Sequence, residues 1–198
     1  MSSLRLSFII LSAVCCLALG DAAPARIAAS DPTGEAAEAS AEFLPIATVL
    51  KSPRCQNCHT DGDFPRQGDD RHRHWLNVVR GPSDHGAPGL SCVACHAAKN
   101  NNESGVPGAP NWRVAPIGQQ WETLDAAALC RKLRDPATNG ARSLSQLEEH
   151  LNADALVQWA WSPGTDAHGH TRSLPPIDQK TFHALVSGWI AKGAPCPR

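Results

Sequence analysis

The stretch SPRCQNCH, residues 52–59, contains two cysteines that are separated by two residues and followed directly by a histidine. The stretch CVACH, residues 92–96, repeats this pattern, and no other part of the chain does so. Each unit places two cysteines and one histidine at the same fixed spacing, and all three side chains can react or bind a metal. The chemistry of these two units therefore decides what the rest of the fold is built around.

Cys-x-x-Cys-His is the pattern by which c-type cytochromes attach haem. Two thiols one turn apart can add to the two vinyl groups of a porphyrin, and the adjoining histidine can then bind the iron. The pattern predicts two covalently bound haem c groups. The predicted attachment residues are Cys55, Cys58, Cys92 and Cys95, and the predicted axial ligands of the iron are His59 and His96.

Three other chemistries use paired cysteines. A zinc site made of four thiolates gives no role to a histidine after both pairs. A redox dithiol is typical of a thioredoxin-like βαβ pattern, which the sequence lacks. A disulfide within each pair would constrain very little chain. The repeated histidine therefore favours haem over zinc, redox and structural disulfide.

Histidines outside the two units are the candidates for the second axial ligand of each iron. Met1 is the only methionine and lies in a predicted signal peptide, so His/Met ligation is excluded in the mature chain. His72 and His74, in GDDRHRHW, are the first candidates. Residues two apart in an extended segment point to opposite sides, so each imidazole could reach one haem. His85 is the next candidate.

The remaining histidines rank lower. His150 and His183 fall in predicted helices, where we expect surface or boundary positions, and His168 and His170 lie in a glycine-rich loop. A lysine, the N-terminal amine or an open site is the alternative to a second histidine. A solvated turn is the alternative interpretation of RHRH.

Residues 1–20 have the pattern of a cleaved secretory signal peptide. A basic start at Arg5 precedes an apolar run from Leu6 to Leu19, which is too short for a comfortable membrane span. An uncleaved anchor and lipid attachment at a cysteine of this segment are the alternatives. We expect a periplasmic protein with no membrane span in the mature chain.

The rest of the chain divides into three regions. Residues 21–41 are rich in alanine and small residues and are expected to form a flexible leader, followed by a dihaem-binding region at 42–122. Residues 123–198 are expected to form a helical region packed on it. The predicted fold class is mainly α with extensive loops, a small dihaem cytochrome c-like fold built around two covalently bound haems.

Several local signals predict the helices. Ser91 is a possible cap for a helix at the second unit, and a helix over residues 123–136 should stop at Pro136. Ser143 and Gln146 form a capping-box pattern. The last helix has an apolar face at i, i+3, i+4, i+7 and i+8 and should end at Gly193. That face comprises Phe182, Leu185, Val186, Trp189 and Ile190.

Cys130 and Cys196 remain once the attachment cysteines are assigned. In an exported protein such a pair is most simply a disulfide. The charge of the chain is close to balanced, with 18 basic and 19 acidic residues and a net charge of −1. A nucleic-acid partner would call for a basic face, so the sequence predicts none.

The chain from about residue 45 to residue 198 resembles small bacterial proteins labelled "isoquinoline 1-oxidoreductase subunit". The resemblance rests on SPRCQNCH, QGDDRHRHWLNVVRG, CVACH, GAPNW, LCRKLRDPATNG, LVQWAWSPG and GAPCP. It implies a cytochrome associated with periplasmic molybdenum hydroxylases, which oxidise N-heterocycles or aldehydes and pass electrons to cytochromes. It supports His72 and His74 as part of a motif. The stretch TDAHGHTRSLPP departs from the family pattern.

These features predict a periplasmic dihaem cytochrome c that carries electrons without acting on a substrate. Its expected partners are a molybdenum hydroxylase-type dehydrogenase as donor and a downstream cytochrome or oxidase as acceptor. The alternative is a haem enzyme of peroxidase type, with one open axial site assisted by Arg71 or Arg73. A zinc-binding interaction module is the third possibility.

Overall fold

The computed structural model describes residues 41–198, so the predicted signal peptide and nearly all of the leader lie outside the described residues. The helices are α1 (Phe43–Leu50), α2 (Pro53–Gln56), α3 (Ala126–Arg134), α4 (Leu144–Ala153), α5 (Ala155–Gln158) and α6 (Gln179–Ala191). Single 3₁₀ turns lie at Trp75–Asn77, Cys92–Ala94, Ile117–Gln119 and Trp159–Trp161. Long loops join these elements and two small two-stranded sheets, so within residues 41–198 the fold is mixed and mostly loop, with the predicted helices and extensive loops present. No helix within 41–198 is long and apolar enough to cross a membrane.

The core forms where the four longer helices meet. Helix α6 packs against α1 and α4, and α1 also contacts α3. Phe43 and Trp189 are fully buried and lie 5.0 Å apart between ring centroids. Burying one large apolar side chain stabilises a fold by about 1.5–3 kcal/mol, so this group holds the helices together. The other fully buried side chains of the core are Ile46, Val49, Leu129, Cys130, Phe182, Val186 and Ala194.

The predicted helix ends are confirmed in the C-terminal half. The hydroxyl of Ser143 accepts a hydrogen bond from the amide of Gln146, whose side chain accepts one from the amide of Ser143, so the capping box is complete. Helix α3 begins after Asp125, which accepts from the amide of Ala128, and ends at Arg134, two residues before Pro136. A residue before proline is pushed out of helical geometry, and Asp135 is extended.

The prediction of a helix capped by Ser91 at the second unit is wrong. Residues Cys92–Ala94 make one 3₁₀ turn, and the Ser91 side chain makes no capping hydrogen bond. The preceding strand pairing explains why. Strands β3 (Gly86–Ala87) and β4 (Leu90–Ser91) form an antiparallel ribbon, and the Cys92 amide donates to the carbonyl of His85 at 2.8 Å. The backbone amide at the start of this unit is therefore hydrogen-bonded to the ribbon.

A second ribbon lies between the two units. Strand β1 (Arg66–Gln67) pairs with β2 (His72–Arg73), with Gln67 opposite His72. Each strand has only two residues, so neither could show the alternation of polar and apolar residues by which strands are predicted. The ribbon places His72 in a strand and His74 just after it.

The predicted disulfide is confirmed. Cys130 of α3 is bonded to Cys196, with 5.5 Å between the Cα atoms. The indole nitrogen of Trp189 donates to the carbonyl of Pro195 at 2.9 Å. The segment around Cys196 is thus fastened to the core by one covalent bond and one partly buried hydrogen bond.

Candidate functional site

The first unit is built on a single helical turn. Pro53 stands at the first position of α2, where its missing amide is not needed. The amides of Cys58 and His59 both donate to the carbonyl of Cys55 at 3.2 Å, which extends the turn through the unit. Residues three apart on such a turn share one side, so both thiols face the same space. None of the four predicted attachment cysteines is in a disulfide.

The imidazole of His59 is held from two sides. Its Nδ1 lies 2.8 Å from the carbonyl oxygen of Gln119, and its ring stacks on Trp121 with 3.5 Å between centroids and 12° between planes. A carbonyl can only accept, so Nδ1 carries the proton and Nε2 keeps its lone pair. Metal-bound histidines are oriented in this way.

The imidazole of His96 repeats this arrangement with different partners. Its Nδ1 lies 2.7 Å from the carbonyl oxygen of Pro107, and its ring stacks on Trp112 with 4.5 Å between centroids and 7° between planes. Both unit histidines therefore present Nε2, each backed by an indole. No sequence pattern indicates these carbonyls, because they belong to loops that lie 60 and 11 residues from the histidines they contact.

Burial keeps the two thiols of the first unit and the imidazoles of both units uncharged. It raises the pKa of the Cys55 thiol to about 12 and that of Cys58 to about 11. It also lowers the pKa of His59 to about 3 and lowers that of His96. Both imidazoles are thus neutral at pH 7, the form in which histidine binds a metal.

A cavity opens beside the first unit. Its internal volume is about 160 Å³. Binding sites for small molecules and cofactors span roughly 300–1,000 Å³, so the cavity must widen to hold a whole cofactor. One wall carries Cys55, Cys58 and His59, and residues 132–160 contribute another.

The charges of the cavity lining are mainly positive. Four cationic side chains line it, namely Arg54, Arg113, Lys132 and Arg142, and the one carboxylate is Asp154. Arg54 is only 6% exposed and is paired with Asp69, yet its Nε has no hydrogen-bond partner. A buried donor without a partner is costly. The cavity therefore suits a largely apolar ligand that also carries anionic groups.

The second unit is much more exposed than the first. Cys92 is buried, but Cys95 is exposed, and Val93 between them is 57% exposed. Trp75 and Leu76, which follow His74, are 62% and 74% exposed. The two units thus differ in access, one opening on a cavity and the other on the surface.

His74 lies beside the histidine of the second unit. The ring centroids of His74 and His96 are 6.0 Å apart, and the Nδ1 of His74 lies 2.8 Å from the carbonyl oxygen of Trp75. His72 instead bonds Asp70 at 2.6 Å through Nδ1 and lies against Trp75 at 5.6 Å between centroids. Among residues 41–198, the ring contacts of His72 include neither unit histidine.

The other predicted site residues lie apart from the two unit histidines. His85 is exposed, and its Nδ1 lies 2.5 Å from the carbonyl oxygen of Ser83. Arg71 pairs with Glu122 at 2.6 Å, and Arg73 lies over the ring of Phe64 at 4.2 Å. His168 and His170 are exposed beside Asp166. The Nε2 of His183 is hydrogen-bonded to the side-chain oxygen Oε1 of Gln158, 2.8 Å away.

His150 lies at a boundary position, as expected, but its place in the cavity lining is not predicted by the sequence. It lies in the last turn of α4, its side chain is 22% exposed, and it lines the same cavity as His59. Its Nδ1 lies 3.2 Å from the Oδ2 of Asp154, and this hydrogen bond lowers the pKa of Asp154 to about 2. The available signal was the carboxylate four residues after the histidine, on the same helix face.

No group of three or more histidine, cysteine, aspartate or glutamate side chains within residues 41–198 is arranged to hold a metal ion. Comparisons of the chain with protein families, with curated proteins and with solved structures found no match.

Proposed function

We propose that the chain is a c-type cytochrome that binds two haems covalently and passes electrons between redox proteins of the periplasm. The observation that carries the proposal is the repeated geometry of the two units. In each, the histidine after the second cysteine gives Nδ1 to a backbone carbonyl and leaves Nε2 free. A zinc ribbon or a redox dithiol has no need of two such histidines.

The residues around the first unit fit a haem. The cavity beside Cys55 and Cys58 has a lining that combines apolar walls with an excess of cations. A haem has an apolar macrocycle and two carboxylates, so Arg54, with its unpartnered Nε, is suited to receive one of them. Arg142 and Arg113 offer further positive charge in the same lining.

Haem iron supplies one-electron chemistry by cycling between its ferric and ferrous forms. The chain's own part is to keep each ligand neutral, oriented and shielded. The carbonyls of Gln119 and Pro107 fix the protonated nitrogen of each imidazole, and Trp121 and Trp112 hold each ring plane. Ligands already held in place reduce reorganisation during electron transfer, which suits a carrier.

The greater exposure of the second unit favours electron exchange with partner proteins at that unit. Cys95 and Val93 lie at the surface, whereas the first unit faces the cavity. The resemblance described above supports a molybdenum hydroxylase-type dehydrogenase as donor and a cytochrome or oxidase as acceptor.

The test is haem content after export from a host that matures c-type cytochromes. A haem stain should survive denaturing electrophoresis, and the pyridine haemochrome should give two haems per chain. The Cys55→Ser/Cys58→Ser and Cys92→Ser/Cys95→Ser double variants should each lose one. A chain without covalent haem in such a host would overturn the proposal, and bound zinc would replace it with the zinc-binding module.

The haem enzyme alternative is separated from the carrier by its ligand binding. An open iron gives a high-spin ferric spectrum and binds cyanide or carbon monoxide rapidly. A low-spin protein that binds neither ligand rapidly would be a carrier. Arg71 and Arg73, the side chains expected to assist an enzyme, are engaged by Glu122 and Phe64.

A further inference from the structure

We infer that His150 is the distal axial ligand of the first iron, on the opposite side from His59. The inference rests on the proposed function, because it concerns the haem attached at Cys55 and Cys58. It assigns a ligand from the C-terminal half of the chain to a site whose attachment residues lie in the N-terminal half.

The cavity lining limits the candidates for this position. Within residues 41–198 the histidines that line the cavity are His59 and His150, and no methionine occurs there. Lys132 is the lysine of the lining, and its amine is the alternative nitrogen ligand. An ammonium group has no lone pair and must first lose a proton, whereas a neutral imidazole binds iron directly.

The orientation of His150 also fits a ligand. Its Nδ1 is bonded to Oδ2 of Asp154 at 3.2 Å, and its Nε2 makes no hydrogen bond within the described part of the chain. Asp154 is held in turn, because its Oδ1 accepts from the amide of Leu156 at 2.9 Å. A carboxylate that fixes the outer nitrogen of a metal-bound imidazole is a common arrangement. Asp154 is therefore a positioning residue.

The other histidines of the C-terminal half lack one of these features. His183 uses its Nε2 in a hydrogen bond to Gln158 and does not line the cavity. His168 and His170 are exposed in a loop. His74 lies beside His96, and His150 lines the same cavity as His59, so the inference gives each unit histidine a second histidine, one from the inter-unit loop and one from α4.

The test compares His150→Ala with His183→Ala, a matched change of another half-buried helical histidine. In His150→Ala we expect two haems per chain, loss of about half of the low-spin ferric signal, and its recovery on adding free imidazole. His183→Ala should keep the whole low-spin signal. A His150→Ala protein with two haems and an unchanged spectrum would overturn the inference while the proposed function stands. Wild-type protein without covalent haem would instead overturn the function.

Asp154→Asn provides a second test that does not remove the ligand. The amide oxygen of asparagine can still cap α5, so the fold should be kept. Loss of the negative charge makes the imidazole a weaker donor to ferric iron, and one of the two reduction potentials should rise. If both potentials of a correctly folded Asp154→Asn protein stay unchanged, His150 is not a ligand. The potentials of Asp154→Asn can still be measured if the His150→Ala protein does not fold.

Discussion

The imidazole centroids of His74 and His96 lie 6.0 Å apart, with 71° between the ring planes. Bonds between a metal ion and a histidine nitrogen are about 2 Å long, so two imidazoles on opposite sides of one ion have centroids roughly 6 Å apart. Each ring also has its Nδ1 on a backbone carbonyl, that of Trp75 for His74 and that of Pro107 for His96. Two loops thus hold a pair of imidazoles at the separation that one iron requires.

His74→Ala should convert one of the two haems to high spin, because it removes the imidazole that faces His96. His72→Ala is the matched control, since its ring is bonded to Asp70 and packs on Trp75. The ferric absorption and electron paramagnetic resonance spectra measure both variants.

An unchanged spectrum in His74→Ala would remove His74 from the ligands of the second iron. A high-spin signal in His72→Ala alone would show that the ribbon rearranges when haem is bound. The sequence placed both histidines in one candidate pair, and this comparison separates them.

Loss of the disulfide should destabilise the protein without loss of haem. The bond joins residues 66 positions apart, and closing a loop of that length is worth about 4 kcal/mol in the chain-entropy description. The Cys130→Ser/Cys196→Ser double variant leaves no unpaired thiol at this site. Because it lacks the cross-link, its urea midpoint should fall, while its haem content stays at two. A fall to one haem would show that Cys130 or Cys196 belongs to an attachment site.

The local signals for helices were reliable in this chain. A capping box depends on residues three apart, so Ser143 and Gln146 could be recognised without knowing what α4 packs against. The apolar period of α6 likewise predicted its buried face, and Phe182, Val186 and Trp189 are buried as expected. Leu185 and Ile190 lie at the edge of that face and are partly buried.

Features that depend on distant contacts were not predictable. The two-residue ribbons are too short to carry a period, and the carbonyls that hold His59 and His96 come from loops with no distinctive sequence. The position of His150 depends on how α4 packs against α6 and the rest of the fold, which no helical period can specify. A disulfide between Cys130 and Cys196 could be predicted because elimination left only that pair.

Gly86→Ala should destabilise the second unit more than Gly89→Ala. Both glycines have positive φ, so either substitution adds left-handed strain of about 1–2 kcal/mol. At Gly86 a Cβ would also lie 2.5 Å from the carbonyl oxygen of Leu90 and 3.0 Å from the amide nitrogen of Cys92, whereas at Gly89 it would meet nothing within 4 Å. Equal urea midpoints for the two variants would mean that the ribbon does not support Cys92.

Asp178→Asn should lower stability at neutral pH but not in acid. Hydrogen bonds from the hydroxyl and amide of Thr181 lower the pKa of Asp178, which caps α6. A lowered folded pKa means that the charged form adds stability above the usual aspartate pKa of about 3.9, and that this stability is lost as the pH falls through the lower folded value. Urea unfolding of both proteins from pH 7 to pH 3 measures the difference.

The difference between wild type and Asp178→Asn should therefore be largest near neutral pH and shrink below about pH 4. A constant difference across this range would mean that the cap works through hydrogen bonding alone. A difference that grows in acid would contradict the direction of the pKa shift.

The cavity beside the first unit has walls from three segments, residues 50–59, 112–121 and 132–160. The fold closes around this cavity only when the last of these segments has packed. Because a chain is made from its N-terminus, the first wall, with both thiols of Cys55 and Cys58, is made well before the last. Under the proposed function, both thiols are thus available for cofactor attachment before residues 132–160 pack and before Cys196 can bond to Cys130.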